Sequence, residues 1–381
     1  MGIHRGHEAH PFEWLAEKVI FLVSLSAILM VLLIFVFVAG EAIPVMFGRM
    51  DSALIQPVIR PEEVNQHPSE KIRDYLGLTA KQFATLDQDT IRTLMEVHVE
   101  AQNEIPQHFR NDPDARLNTT EWRYLLQPHQ WTGYDRPAYI WQPVGQIHKY
   151  NIVPLIIGTL KTTAVGLLFA VPLAIGAAIY VSQLARPRAR EIIKPTIELL
   201  SGIPSVVVGF FALLVMATIL QNVLGYQTRL NAFVAGIALS FAVIPIVFSI
   251  AEDALTSVPQ SYTQAALALG ASRWQTAWQI ILPAALPGVF AAVVLGFGRA
   301  IGETMIILMV TSASEMSWSL FSGARSITAT IAAEMGEVVR GGHHYRMLFL
   351  LGALLFAATF VTNMVAEIIM HRFKRKLEGK R

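Results

Sequence analysis

Arg299 and Glu303 stand four residues apart in a long apolar run, so a helix would set them on one face. An arginine facing lipid near the middle of a membrane helix costs roughly 2.5–3.5 kcal/mol. Such a residue must therefore face protein or water. Its planar fork can donate two parallel hydrogen bonds to the oxygens of a tetrahedral oxyanion. Phosphate near neutral pH is partly protonated, and Glu303 could accept that hydrogen bond. The same carboxylate would repel fully ionised sulfate. An Arg–Glu pair of this kind equally serves to hold two helices or a gate together. Thr304 follows directly, and Ser205, behind Ser201 and Pro204, sits where a helix would break and open backbone groups to a pathway. Arg299, Glu303, Thr304 and Ser205 are the candidate pathway residues. Gly298 and Gly302 form a small-xxx-small pair suited to close helix packing. Lys161, beside Thr159 and Thr162, is expected to snorkel towards an interface. The stretch Ser322 to Thr330 reads equally as an anion-receiving segment or a solvated loop.

A second group of residues offers a surface rather than a reaction. Ser261 and Gln264 have capping-box spacing, and Ala265 and Ala266 present small side chains. Gly270 permits a sharp turn. Trp274 and Trp278 share a face suited to a membrane interface, and Ile280, Leu282 and Pro283 close the segment.

These residues need a membrane scaffold. Of 381 residues, 53% are hydrophobic and 15% charged, well below the charge of a soluble domain. Val19–Ala39 is too long for a cleaved leader and long enough to span. Five further apolar stretches follow, near 152–181, 192–220, 231–250, 284–311 and 345–370. The chain therefore reads as all-α and polytopic, with about six spans. Basic residues cluster at 186–194 and after Met370, which sets both termini and the loop 251–283 on the cytoplasmic side. The divisions expected are 1–48 with the first span, an external insertion 49–149, a core 150–372 with five spans, and a basic tail 373–381. Within the insertion, 71–103 reads as two short amphipathic helices bearing Leu76, Leu78, Phe83, Leu86, Ile91, Leu94, Val97 and Val99 inward.

Several chemistries lack their residues. No cysteine is present, so disulfide, thiolate-metal and cysteine chemistry are excluded. No G-x-x-x-x-G-K-[ST], H-E-x-x-H or G-x-S-x-G pattern occurs. His4, His7 and His10 read as a solvated end rather than a metal site. A net charge of +2 makes no case for nucleic acid. No cofactor is expected.

Gln264-Ala265-Ala266-x3-Gly270-x9-Ile280-x-Leu282-Pro283 resembles the EAA motif of ABC importer permeases, with glutamine replacing the first glutamate. The segments 151–160, 198–207 and 298–305 are similar to those of phosphate importer permeases, nearer the PstC than the PstA type. The resemblance implies a type I permease fold in the bacterial inner membrane, and a coupling loop that docks in a cytoplasmic ATPase. It implies two ATPase copies, a second PstA-like permease and an external phosphate-binding protein as partners. The chain itself would not be an enzyme. Sulfate, molybdate or another oxyanion is the alternative cargo. A membrane sensor is the alternative class.

Overall fold

The computed structural model describes residues 11–56, 58–78, 80–311 and 316–377. The three N-terminal histidines and the last four tail residues lie outside this range. Among the described residues, six helical stretches are long and apolar enough to cross a membrane. In hydrocarbon every backbone group must find its partner within the segment, so these runs fold as helices.

Helix α1 spans Pro11–Met46. The insertion follows, with α2 (Ser69–Tyr75), α3 (Ala80–Ala84), α4 (Gln88–Glu104), α5 (Gln107–Arg110) and α6 (Trp122–Leu126). A two-stranded antiparallel ladder closes it, β1 (Trp141–Gln142) on β2 (Lys149–Tyr150). Helix α7 (Val153–Ile179) widens into a π-turn at Tyr180–Leu184, and α8 (Pro187–Ser201) follows. The third span is α9 (Ser205–Phe211), a π-turn at Ala212–Met216, and α10 (Ala217–Leu224). Helix α11 (Ala232–Thr256) leads to α12 (Gln260–Ala268). The next span is α13 (Arg273–Thr276), a π-turn at Ala277–Ile281, and α14 (Leu282–Gly302). Short helices α15 (Met305–Val310) and α16 (Ile327–Glu334) precede α17 (His343–Leu377).

The core is a sandwich of α7, α11 and α14. Ala170, Ala174 and Ala178 on α7 meet Leu239, Val243 and Val247 on α11, with Val289 and Ala292 from α14. Small residues let the backbones approach, as membrane helices require without a hydrophobic drive between them. A Cβ on Gly236 would lie 2.4 Å from Val165, and one on Gly296 2.5 Å from Val247. Gly298 and Gly302, expected to pack closely, meet nothing within 4 Å. The close approaches lie instead where α11 faces α7 and α14. Helix α1 stands outside this core against α17, with Phe35 on Phe356 at 5.1 Å.

Two span limits differ from the sequence reading. The third was expected over 192–220, but 187–201 is a separate helix. It carries Arg190, Lys194 and Glu198, and Arg190 and Lys194 bond to Glu252 of α11 at 2.6 and 2.7 Å. The chain breaks at Gly202–Pro204, because proline disfavours helix in the residue before it. The fifth was expected over 284–311. It begins instead at Arg273 and ends at Gly302.

The insertion has two parts. Ile59, Ile72, Ile91 and Met95 form a small cluster with Leu76, Phe83 and Leu86. Val97, expected inward, is exposed, since the buried stripe runs from Ile91 to Met95 at one-turn spacing. The second part merges with the bundle. Leu125, Tyr150 and Ile152 pack with Val45 of α1 and Met347 and Leu351 of α17. Asn151 donates to the carbonyls of Tyr124 and Gln127, both at 2.8 Å. The Lys149 ammonium sits over the rings of Trp131 and Tyr134, and burial lowers its pKa against the pull of Asp114 and Asp112.

Candidate functional site

Helix α14 stops at Gly302. Glu303 is extended, at φ −69° and ψ 129°, and Thr304 immediately precedes α15. This break sets the geometry of the polar centre. The Glu303 side chain is 6% exposed and that of Arg299 48%. The nearest guanidinium nitrogen lies 3.7 Å from Glu303 Oε2, an ion pair beyond direct hydrogen-bond distance. The Arg299 fork thus keeps donors free among the described residues. The Thr304 hydroxyl turns back to the Gly302 carbonyl at 3.3 Å.

Ser205 is the first residue of α9, behind Pro204. One turn on, Gly209 packs against α15, where an added Cβ would lie 3.2 Å from Ile306 Cα. The structure joins Arg299, Glu303 and Thr304 at one helix break. Ser205 belongs to a neighbouring element, α9, and among the described residues no hydrogen bond joins it to them.

Arg299 was expected near mid-membrane. The span begins at Arg273 rather than near 284, with exposed Trp274 and Trp278 stacked at 6.0 Å near its start. At about 1.5 Å per residue, Arg299 lies about 32 Å beyond Trp278, a full hydrocarbon thickness. It sits towards the end of the bundle that carries the insertion.

The segment after α15 returns into this region. The backbone N–H of Ile327 donates to Thr159 on α7 at 3.0 Å, and the Thr328 hydroxyl donates to the Glu303 carbonyl at 2.8 Å. A Cβ on Gly158 would collide with the Arg325 carbonyl at 2.2 Å, so only glycine lets the segment approach so closely. Ser326, Thr328 and Thr330 are buried, which excludes a solvated loop here. Arg325 pairs with Glu334 at 2.9 Å, and His344 and Trp141 bond to the same carboxylate at 3.2 Å.

Lys161 does not snorkel. It is 9% exposed, and its ammonium donates to the carbonyls of Ser317 and Ser319 at 2.7 and 3.0 Å. Those acceptors lie far along the chain, so local sequence did not disclose them. The visible signal was a lysine flanked by threonines in an apolar helix.

At the other end of the bundle, α12 leaves Gln264 and Ala265 exposed and buries Ala266. The Ser261–Gln264 capping box does not form, because Pro259 opens the helix and places Ser261 inside it. A capping box forms instead at Ser272 and Gln275. Gly270 has φ +88°, the left-handed turn that glycine adopts freely. Ile280 is 38% exposed, Leu282 half-buried against the core and Pro283 exposed, while Ile281 fills the core between them. The segment 280–283 is continuous with the fifth span, so the exposed connection is 257–272.

Residues 152–379 match the family described as binding-protein-dependent transport system inner membrane component. A probable ABC transporter permease protein, YqgH of Bacillus subtilis, is 34% identical over 61% of this chain and 76% of its own length. Phosphate transport system permease proteins PstC of Xylella fastidiosa and Pasteurella multocida are 32% and 31% identical. These cover 62% and 63% of this chain and 78% and 80% of theirs. Among solved structures, a chain of the inward-facing MetNI methionine ABC transporter aligns at TM-score 0.45 and 18% identity, covering 58% of this chain and 94% of its own. The matched family extends from the start of α7 through α17 and takes in the helix break, the returning segment and the exposed loop. The chain belongs to the inner-membrane components of binding-protein-dependent transport systems.

Proposed function

We propose that this chain is one of two membrane-spanning subunits of an ATP-driven importer of inorganic phosphate. The observation that carries this reading is the half-exposed Arg299 beside buried Glu303 at a helix break. At the insertion end of α14 the half-exposed guanidinium can meet water, an anion or a second chain. Its free donors suit phosphate oxygens, and Glu303 suits the proton that phosphate carries and sulfate lacks. Relatives at 31–32% identity named as phosphate permeases support the same cargo.

In this reading the loop end faces the cytoplasm, with both termini, and the insertion faces outside. The exposed α12, with Gln264, Ala265 and Gly270, docks in one of two ATPase copies. A PstA-like permease completes the pathway, and an external phosphate-binding protein delivers the anion. ATP closure acts through α12 on α11 and α14, which favours the states differently and so shifts access.

The test is labelled phosphate uptake in cells lacking this chain, complemented with wild type, Arg299→Ala or Arg299→Lys at matched membrane levels. Wild type should restore uptake and both variants should fail. Wild-type protein that retains the ATPase yet carries sulfate rather than phosphate overturns the cargo. Gly270→Asp should abolish ATPase co-purification while the chain stays in the membrane.

A further inference from the structure

Lys161 is a buried cation whose hydrogen-bond partners among the described residues are all neutral. Its ammonium donates to the carbonyls of Ser317 and Ser319 and, at 3.3 Å, to the hydroxyl of Ser322. Among the described residues, no carboxylate lies within 4.0 Å of it. Burying an ammonium without a counter-charge is costly, and carbonyl dipoles offset only part of that cost. The contrast within the chain is direct. Glu252, also buried, has two cations on its carboxylate. Lys161, among the described residues, has the hydrogen bonds but not the charge.

Lys161 lines a cavity of about 40 Å³, with Gly158, Ser317, Gly323 and Arg325. That is room for a few water molecules or one small polyatomic ion. Arg325 also lines the cavity, and its guanidinium is paired with Glu334 at 2.9 Å. The cavity lies on the returning segment just before Thr328, which touches the Glu303 carbonyl. It is therefore joined to the helix break by a short stretch of chain.

We propose that Lys161, with the cavity it shares with Arg325, is a second station for a tetrahedral oxyanion, on the insertion side of Arg299. Its identification with phosphate rests on the cargo proposed above. An anion in the cavity supplies the charge that the Ser317 and Ser319 carbonyls lack. It competes with them for the same ammonium protons, so its arrival loosens the returning segment. The cation that receives the anion is then also the latch that holds the entrance.

The chain has no cysteine, so Lys161→Cys introduces a single thiol. The assembled transporter carrying this variant is treated with 2-aminoethyl methanethiosulfonate, which restores an ammonium through a mixed disulfide and releases methanesulfinate. Uptake by Lys161→Cys should fall at least about tenfold, the worth of one charge-assisted hydrogen bond. The aminoethyl reagent and Lys161→Arg should each recover it. The uncharged methyl and anionic sulfonatoethyl reagents should not. Labelling of the introduced thiol, followed by mass spectrometry of this chain, should slow saturably with inorganic phosphate. Labelling of Val144→Cys, at an exposed position, should be unaffected.

Uptake by Lys161→Cys near the wild-type level overturns the station. So does a loss that neither ammonium nor guanidinium repairs, which marks a strut. Labelling slowed by neither phosphate nor sulfate also overturns it. Slowing by sulfate alone, with no phosphate uptake by wild type, overturns the cargo but keeps the oxyanion station. Labelling is run in vesicles with anionic lipid and in lipid-free detergent. Protection by lipid without added anion assigns the cavity to a headgroup and overturns the proposal.

Discussion

The hydroxyl of Thr328 donates to the backbone carbonyl of Glu303 at 2.8 Å, across 25 residues of chain. This bond ties the returning segment to the break at which the fifth span ends. Both partners are buried, so neither can turn to water. Thr328→Val keeps the shape and removes the donor. It should lower stability by about 1–2 kcal/mol, the cost of a buried acceptor left unpaired. Thr328→Ser should restore most of it. Thermal melting of the purified protein checks both, and uptake should fall with the valine variant.

Glu252 holds Arg190 and Lys194 of α8 onto α11, and it is 1% exposed. The bond to the carboxylate raises the pKa of Lys194 above the usual lysine range. Removing one partner of a fully buried pair costs about 3–5 kcal/mol. Here both cations also reach solvent, so Glu252→Ala should cost less, about 2 kcal/mol. Arg190→Ala leaves Lys194 on the carboxylate and should cost under about 1 kcal/mol. Denaturation of the two variants side by side gives the order. Equal losses would show that the two cations do not share the carboxylate.

His98 on α4 lies edge-on to Tyr75 at 4.5 Å, and its Nε2 is buried without a partner among the described residues. Burial lowers its pKa from 6.5, so the folded insertion favours the neutral ring. The unfolded chain binds the proton first as pH falls. Stability is therefore level above pH 6.5 and declines as pH drops from there through the lowered folded value. Proteolysis of α2–α4 should quicken between about pH 7 and pH 5. His98→Leu should flatten that response.

The two parts of the insertion should respond differently to removal. The N–H of Ile55 donates to the Ala115 carbonyl at 2.8 Å, so the chain ends of the outer part meet. Replacing residues 58–110 with a short flexible linker should leave the bundle folded and inserted. Leu125→Ala, a single truncation in the part merged with α17, should cost about 3 kcal/mol. Thermal melting and membrane yield of the two variants test this contrast.

Much of the bundle was legible because a membrane allows so few solutions. Each apolar run had to become a helix, and Pro204 announced the break before α9. Gly270 announced its turn for the same local reason. The features that failed to show were those made by distant partners. Glu252 sits at the end of an apolar run, and only folding brings α8 over it. Lys161 looked like an interfacial lysine because its acceptors lie more than 150 residues away. The break at Glu303 has no proline to mark it. It is fixed by Thr328, which the fold delivers from beyond α15. Pro259 and Ser272 show a local miss, where two start signals competed and the proline displaced the serine-led cap at Ser261.

The π-turns at Tyr180–Leu184 and Ala277–Ile281 lie at the loop end, on either side of the exposed connection. Each holds one residue more than an α-helical turn requires. Drawing that residue out at Ala277–Ile281 would rotate all of α14 by about 100°, with Arg299 at its far end. A push on α12 can thus be answered by a change of register rather than a tilt. The face of α14 that sets Val289, Ala292 and Gly296 against α11 would turn with it, so the guanidinium could change sides only if this interface repacked.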